Sequence, residues 1–173
     1  LNQEEPTFTV HVGDIKGGGT QCSDEYLLKI YNYFQQFQHP LIYTPGDNEW
    51  TDCHRPSAGG YDPMERLEKI RKTFYRENRS LGSTPLPLTT QNTYRGYEKF
   101  VENAIWTHQD ITFGTLHVVG SNNNFNSDSS AVNAEHQERD QANTFWLEEI
   151  FRQAKSTQSL AHIKTGHVNA YCQ

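Results

Sequence analysis

The chain has 173 residues, of which 34% are hydrophobic and 12% aromatic, and its formal net charge is −6. This length suits one domain with a sizeable core, and the aromatic content argues against a disordered chain. Because the chain is acidic and has no basic cluster, nucleic-acid binding is disfavoured, and the sequence contains no apolar run long enough to cross a membrane.

The amino terminus reads Leu-Asn-Gln-Glu-Glu-Pro, with neither an initiator methionine nor the pattern of a signal peptide. No internal repeat or linker divides the sequence that follows. We therefore expect residues 1–173 to form a single, partial domain of a longer protein.

The first part of the chain predicts a strand, a helix and a second strand. Apolar and polar residues alternate over residues 7–12, which is typical of a strand. Ser23 is suited to cap a helix with one apolar face, and the helix ends before Pro40. The apolar run at residues 41–44 is the second strand, so this order predicts a βαβ unit with parallel strands.

Both predicted strands end in a Gly-Asp pair, Gly13-Asp14 and Gly46-Asp47. In a right-handed βαβ unit the two strand ends lie at the same edge of the sheet, so Asp14 and Asp47 are expected to face one cleft. Paired carboxylates suit a hard or borderline divalent cation. The alternative is that each aspartate only caps a turn. The position of the second pair within Gly-Asp-Asn-Glu-Trp favours the metal site.

Polar residues near these aspartates are further candidates. Asn48 can donate its amide to a bound oxyanion and Glu49 can orient a ligand from behind it, although both are equally able to form loop hydrogen bonds. His54 and Arg55 form either a cation pair for an anionic substrate or part of a solvated loop. His167, which follows the last predicted strand, is a further candidate metal ligand.

The remainder of the chain predicts a mixed α/β arrangement. Helical spacing of apolar residues and alternating strand patterns follow one another, separated by polar segments. The expected elements are a helix from Asp62, an irregular connection over residues 81–92, a hairpin of strands 103–108 and 111–119, a turn at 122–124, a polar loop over 125–134, a helix over 135–155 and a strand over 160–164.

The three cysteines, Cys22, Cys53 and Cys172, allow at most one disulfide. Cys22 and Cys53 each follow a candidate site loop, so they are expected to be neighbours. A bond between them would indicate an oxidising compartment, for a secreted or periplasmic protein. The alternative is a set of buried thiols.

Three segments resemble the calcineurin-like metallophosphoesterases: His-Val-Gly-Asp-Ile-Lys at residues 11–16, Thr-Pro-Gly-Asp-Asn-Glu-Trp at 44–50, and a pattern from glutamine to Trp-Leu over 141–147. The likeness covers roughly residues 7–155, and it is closest to a bacterial branch in which the usual Gly-Asn-His-Glu motif reads Gly-Asp-Asn-Glu. This resemblance implies an αββα sandwich, two divalent metal ions (Mn, Fe or Zn), and hydrolysis of phosphate esters by a metal-activated hydroxide.

The resemblance also implies roles for single residues. Asp14 would bridge both metals, and Asp47 falls on the family's asparagine ligand. Asn48 falls on the histidine that assists the leaving group, and Glu49 on the acidic residue behind it. The substrate would be a phosphorylated small molecule or protein.

Departures from the family pattern leave two hypotheses. The family's first metal-binding motif is expected upstream of Leu1, and its closing histidines are reduced to Gly-His-Val-Asn at residues 166–169. Asn48 has no titratable proton, so general-acid help from that position is lost. The chain is therefore either part of a metal-dependent phosphoesterase or a catalytically inactive binding or structural domain on the same scaffold.

Overall fold

The computed structural model of the chain describes residues 2–126 and 128–165. Its first sheet contains the predicted βαβ unit, with β1 (Thr9–His11), α1 (Asp24–Gln35) and β2 (Leu41–Tyr43). β1 and β2 pair in parallel, which confirms the predicted orientation. Ser23 caps α1 as predicted, because its hydroxyl accepts a hydrogen bond from a backbone N–H in the first turn.

The second sheet has four strands in the order β3-β4-β5-β6. β4 and β5 form the predicted antiparallel hairpin, and β6 pairs with β5 in parallel. β3 is a short strand within the connection that was expected to be irregular. The strands are β3 (Thr89–Thr90), β4 (Ala104–His108), β5 (Ile111–Leu116) and β6 (Leu160–Thr165). The two sheets and their helices make a mixed α/β fold.

Short helices follow the first sheet. Two 3-10 turns, Thr51–His54 and Pro56–Ala58, occupy the loop after β2. α2 (Pro63–Phe74) begins where the sequence predicts, because the Asp62 carboxylate accepts two backbone N–H groups of its first turn. Pro63 suits the first helical position, where no backbone N–H is needed.

The last helices lie after β5. α3 (Gly120–Asn123) is a single turn whose backbone is left-handed at Ser121 and Asn122, and α4 (Ser130–Ser156) is a long helix. α4 begins at Ser130 rather than at Glu135, so the prediction of a polar loop up to residue 134 is wrong. The physical reason is a cap, since the hydroxyl of Ser129 accepts a backbone N–H of the first turn. None of the helices in the described ranges is long and apolar enough to span a membrane.

Helices pack against both sheets. The side chains of α1 and α2 form a core with β2, and Trp146 and Ile150 of α4 pack on Ile105 of β4. Phe8 connects the sheets, since its ring centroid lies 5.6 Å from that of Trp106 and 5.0 Å from that of Phe113. The residue that directly precedes β1 therefore packs on the second sheet.

A disulfide joins Cys22 to Cys53, whose Cα atoms are 5.8 Å apart. Both cysteines are fully buried, together with Ala58. The bond ties the glycine-rich loop before α1 to the turn after β2, and it is compatible with an extracellular location. Cys172 lies outside the described residues.

Removing this disulfide is expected to destabilise the fold. Because the two cysteines are 31 residues apart, the loop-entropy relation gives a loss of about 3–4 kcal/mol in the free energy of unfolding. Guanidinium unfolding of a Cys22→Ala/Cys53→Ala double variant measures the loss, with a Cys172→Ala variant as the control. A double variant as stable as the wild type would contradict this expectation.

Candidate functional site

The loops after β1 and β2 lie against each other at the carboxyl ends of the strands. A Cβ atom on Gly46 would lie 2.3 Å from Asp14 Oδ1, so only glycine leaves room for this carboxylate. The backbone N–H of Asn48 approaches the same oxygen at 3.5 Å. The βαβ topology thus brings Asp14 onto the motif that contains Asp47.

The side chain of Glu49 holds the two loops together. Its buried carboxylate accepts the N–H of Gly46 at 2.7 Å and the O–H of Tyr43 at 2.8 Å on one oxygen, and the N–H of Asp14 at 3.1 Å on the other. Burial raises the pKa of the Glu49 carboxyl to about 7, although the hydrogen bonds from Gly46 and Tyr43 oppose the shift. Glu49 therefore orients the backbone of Asp14 and is itself inaccessible to a ligand.

Asp47 is buried against the loop that follows β5. A Cβ atom on Gly120 would lie 2.3 Å from Asp47 Oδ2, and Ser121 Oγ lies 3.0 Å from the same oxygen. Ser121 Oγ is also 2.6 Å from Asp52 Oδ1. Because a hydroxyl has one proton, Ser121 donates a hydrogen bond to only one of these two carboxylates. The carboxylate that does not receive this hydrogen bond needs positive charge nearby. Arg55 supplies part of it through an ion pair of 2.8 Å with Asp52.

The remaining predicted residues lie at the rim of this cluster. Asn48 is partly exposed, and its side-chain oxygen would lie 3.3 Å from a Cβ atom on Gly18. His54 and Arg55 are exposed, and Arg55 is held by Asp52. These positions leave the His54 imidazole and the Arg55 guanidinium accessible from solvent.

Sequence reasoning missed Lys16, Asp52 and Ser121 as members of the cluster. Lys16 is 4% exposed, and its ammonium donates to the carbonyl of Gly17 at 3.2 Å. Burial lowers the pKa of Lys16, while attraction to Glu49 and Asp52 opposes the shift. Lysine is rarely buried without compensating charge, so Lys16 serves as a countercharge for the carboxylates. Its position in the loop directly after the Gly-Asp pair was the available signal.

The turn that contains Ser121 has a left-handed backbone. Ser121 and the three asparagines that follow it have φ angles between 48° and 63°. Asparagine tolerates this conformation better than most residues with a side chain, which accounts for the asparagine run. Such strain persists only where the surrounding structure stabilises it, and it is frequent at ligand sites.

A buried ion pair of α4 stabilises this turn. Arg139 is fully buried, and its guanidinium donates to Asn123 Oδ1 at 2.6 Å and to the Asn123 carbonyl at 2.9 Å. Glu135 pairs with Arg139 at 2.6 Å and also accepts the side-chain N–H of Asn124 at 2.8 Å. The spacing of Glu135 and Arg139 is that of an exposed helical pair, so the sequence did not indicate this role.

A second cluster of buried polar side chains lies next to Trp50, the last residue of the Gly-Asp-Asn-Glu-Trp motif. His117 Nδ1 lies 2.8 Å from Glu102 Oε1, Arg71 binds the same carboxylate, and the His117 ring packs against Trp50. Burial alone would raise the pKa of Glu102, but Arg71 and then His117 hold it well below its usual range. Burial lowers the pKa of His117, so the imidazole is neutral and we assign its Nδ1–H as the donor to Glu102.

The buried imidazole predicts a pH dependence of stability. The pKa of His117 is lower in the folded chain than in the unfolded chain, where it is about 6.5. The unfolded chain therefore binds the proton first, and the contribution of His117 to stability is complete above about pH 6.5 and is lost on acidification. This group adds a slope of at most about 1.4 kcal/mol per pH unit.

Urea unfolding at several values between about pH 5 and pH 7.5 tests this expectation. His117→Gln should lower the slope of stability against pH relative to the wild type, because glutamine does not titrate in this range. The opposing contribution of Glu49, whose pKa is raised to about 7 in the folded chain, is common to both proteins. His162→Gln is the matched control, since His162 is exposed on β6. A His117→Gln variant with the wild-type slope would show that another group causes the acid sensitivity.

The cluster contains oxygen donors of the kind that hard cations prefer. Within residues 2–126 and 128–165, no group of three His, Cys, Asp or Glu side chains is placed to hold a metal ion, and His167 lies outside these ranges. Asp14, Asp47 and Asn48 supply carboxylate and amide oxygens, which suit Mg²⁺ or Mn²⁺. Such an ion is commonly held by one or two carboxylates and keeps several waters. A second ion would need further ligands.

Comparison with known proteins adds no assignment to this geometry. No family model, no curated protein and no solved structure matches the chain. The fold family and the activity are therefore inferred from the motifs and contacts of the chain itself.

Proposed function

We propose that the chain is a domain of a calcineurin-like metallophosphoesterase that hydrolyses phosphate esters. The observation that carries this proposal is the clamp formed by Glu49, which joins Asp14 to the Gly-Asp-Asn-Glu motif at the ends of two parallel strands. In open α/β sheets, ligands bind beyond the carboxyl ends of the strands. The packing of α1 and α2 with β2, and of α4 with β4, supports the finer interpretation of an αββα sandwich.

The residues present have distinct roles in this proposal. Asp14 and Asp47 would hold a divalent cation, which when bound supplies Lewis-acid activation of the phosphoryl group. The Asn48 amide donates a hydrogen bond to a phosphoryl oxygen, so that negative charge developing on this oxygen is stabilised. Glu49 keeps the Asp14 backbone in place through its accepted N–H.

Positive charge at the rim attracts the substrate. A phosphate ester is an anion, and it must approach the carboxylates of Asp14, Asp47 and Asp52. The exposed Arg55 guanidinium can form a two-point contact with phosphate oxygens, and His54 lies next to it. The substrate is therefore a phosphorylated small molecule or protein, and the disulfide supports action outside the cytoplasm, in a secreted or periplasmic protein.

The full-length protein should hydrolyse para-nitrophenyl phosphate when Mn²⁺ is added and lose this activity when a chelator removes the ion. Calorimetric titration with Mn²⁺ should detect a divalent site, and Ca²⁺ serves as the comparison ion. Absence of both turnover and divalent binding would support the alternative, an inactive binding or structural domain.

A further inference from the structure

A groove borders the cluster at Asp52, His54 and Ser121 and extends beyond the residues to which the proposed chemistry assigns a role. Its volume is about 540 Å³, and its lining includes Asp52 and Ser121 of the cluster. Phe125, Asn126 and Val132 also line it. A phosphate ester bound at the carboxylates would therefore have its alcohol portion beside this groove.

Phe125 is an exposed aromatic side chain in a fixed position on the groove wall. Its side chain is 45% exposed, yet its backbone N–H donates to the Asn122 carbonyl at 2.9 Å and its carbonyl accepts the Asn122 side-chain N–H at 3.2 Å. Its ring meets the His136 ring edge-on with centroids 5.5 Å apart. The His136 Nδ1 atom is in turn 2.8 Å from the Asn123 carbonyl. The left-handed turn thus holds an exposed aromatic ring in the lining of the groove, so that binding to this ring orders little further structure.

The charges of the groove indicate what part of a ligand it accepts. Among the described residues that line it there is no lysine or arginine, and the carboxylate of Asp52 is already paired with Arg55. The rest of the lining consists of amide, hydroxyl, imidazole and apolar side chains: Asn122, Asn124, Asn126, Thr51, Ser129, His54, Pro63 and Val132. An uncharged, planar group with polar edges matches these walls, because its face can stack on an aromatic ring and its edges can bond to amides.

We propose that this groove binds the aromatic alcohol of a phosphate ester, stacked on Phe125, so that the substrate class is aryl or nucleobase-bearing phosphate esters. This inference rests on the proposed phosphoesterase function, and it deepens that function by specifying the chemical class of the leaving group. Phe125 is then a specificity residue that contacts the substrate away from the reacting atoms.

The first test compares two esters in the full-length protein with Mn²⁺. In Phe125→Ala, the KM for para-nitrophenyl phosphate should rise about tenfold, as expected for one lost aromatic contact, whereas the KM for glycerol phosphate should stay unchanged. Phe151→Ala is the matched control, because Phe151 is an exposed phenylalanine of α4 that does not line the groove. Equal effects of Phe125→Ala on both esters, or no effect on either, would overturn the proposal.

A binding experiment separates this inference from the proposed function. Calorimetry in the presence of Ca²⁺ compares phenyl phosphate with methyl phosphate, and needs no turnover. The wild type should bind phenyl phosphate about tenfold more tightly, and Phe125→Ala should lose this preference. If no ester is hydrolysed but the preference is present, the proposed function fails and the groove assignment stands. Equal affinities for the two ligands overturn the groove assignment even in an active enzyme.

Competition distinguishes the two sources of the aromatic group. Phosphotyrosine, adenosine monophosphate and phosphoserine compete with phenyl phosphate in the same calorimetric assay. Tighter binding of phosphotyrosine identifies phenolic esters, and tighter binding of the nucleotide identifies nucleobase-bearing esters. Binding of phosphoserine as tight as both would overturn the proposal.

Discussion

Asp14→Asn is expected to reduce Mn²⁺-dependent hydrolysis of para-nitrophenyl phosphate by about a hundredfold or more. Loss of a group that only supports a metal ligand commonly lowers metal affinity or activity 10- to 100-fold. Loss of a ligand carboxylate should lower them at least as much. Asparagine is the informative replacement because Asp14 has a φ of 56°, a left-handed conformation that asparagine tolerates. The backbone N–H that Glu49 accepts is also retained.

Two controls make the result interpretable. Asp110→Asn makes the same chemical change at an exposed turn between β4 and β5, and it should leave activity unchanged. Guanidinium unfolding of Asp14→Asn should show a stable fold, and calorimetry should show weaker Mn²⁺ binding. Full activity in Asp14→Asn would falsify the assignment of Asp14 as a metal ligand.

Arg139→Met is expected to lower the free energy of unfolding by about 3–5 kcal/mol, because it leaves the carboxylate of Glu135 buried without its partner. Burial tends to raise the pKa of Glu135, and Arg139 is the main group that holds it below its usual range. The left-handed turn also loses two guanidinium hydrogen bonds at Asn123. Chemical unfolding monitored by tryptophan fluorescence measures the loss.

An exposed ion pair and a double variant provide the comparison. Lys99→Met breaks the pair of Lys99 with Glu138, both of which are about half exposed, so the loss should be below about 1 kcal/mol. Glu135→Leu/Arg139→Met removes both buried charges and should recover part of the stability lost in Arg139→Met. If Arg139→Met is no more harmful than Lys99→Met, the buried pair does not support the turn.

The first sheet was predictable because its signals are local. Alternation before Gly13, the cap at Ser23 and the stop at Pro40 are each decided within a few residues of the chain. Parallel pairing then follows from the order of the elements and from the handedness of βαβ units. For the same reason, the sequence alone predicts that Asp14 lies beside the second Gly-Asp pair.

The left-handed turn and its support were not predictable because they depend on contacts between distant segments. Nothing near Arg139 in the sequence indicates that its guanidinium meets Asn123, and the spacing from Glu135 is also that of a solvated pair. The early start of α4 depends on one hydroxyl, that of Ser129, within a stretch whose polarity is typical of a loop. Burial of Lys16 likewise depends on carboxylates from another loop.

Each aspartate packs against a glycine of a neighbouring loop, and this packing has a consequence for grafting the site onto another protein. Asp14 occupies the space beside Gly46, and Asp47 occupies the space beside Gly120. A protein engineer who grafted only the Gly-Asp-Asn-Glu segment onto another α/β scaffold would supply the second aspartate without the surface that receives it. The smallest portable unit therefore consists of three loops that follow β1, β2 and β5, carried together with their relative spacing.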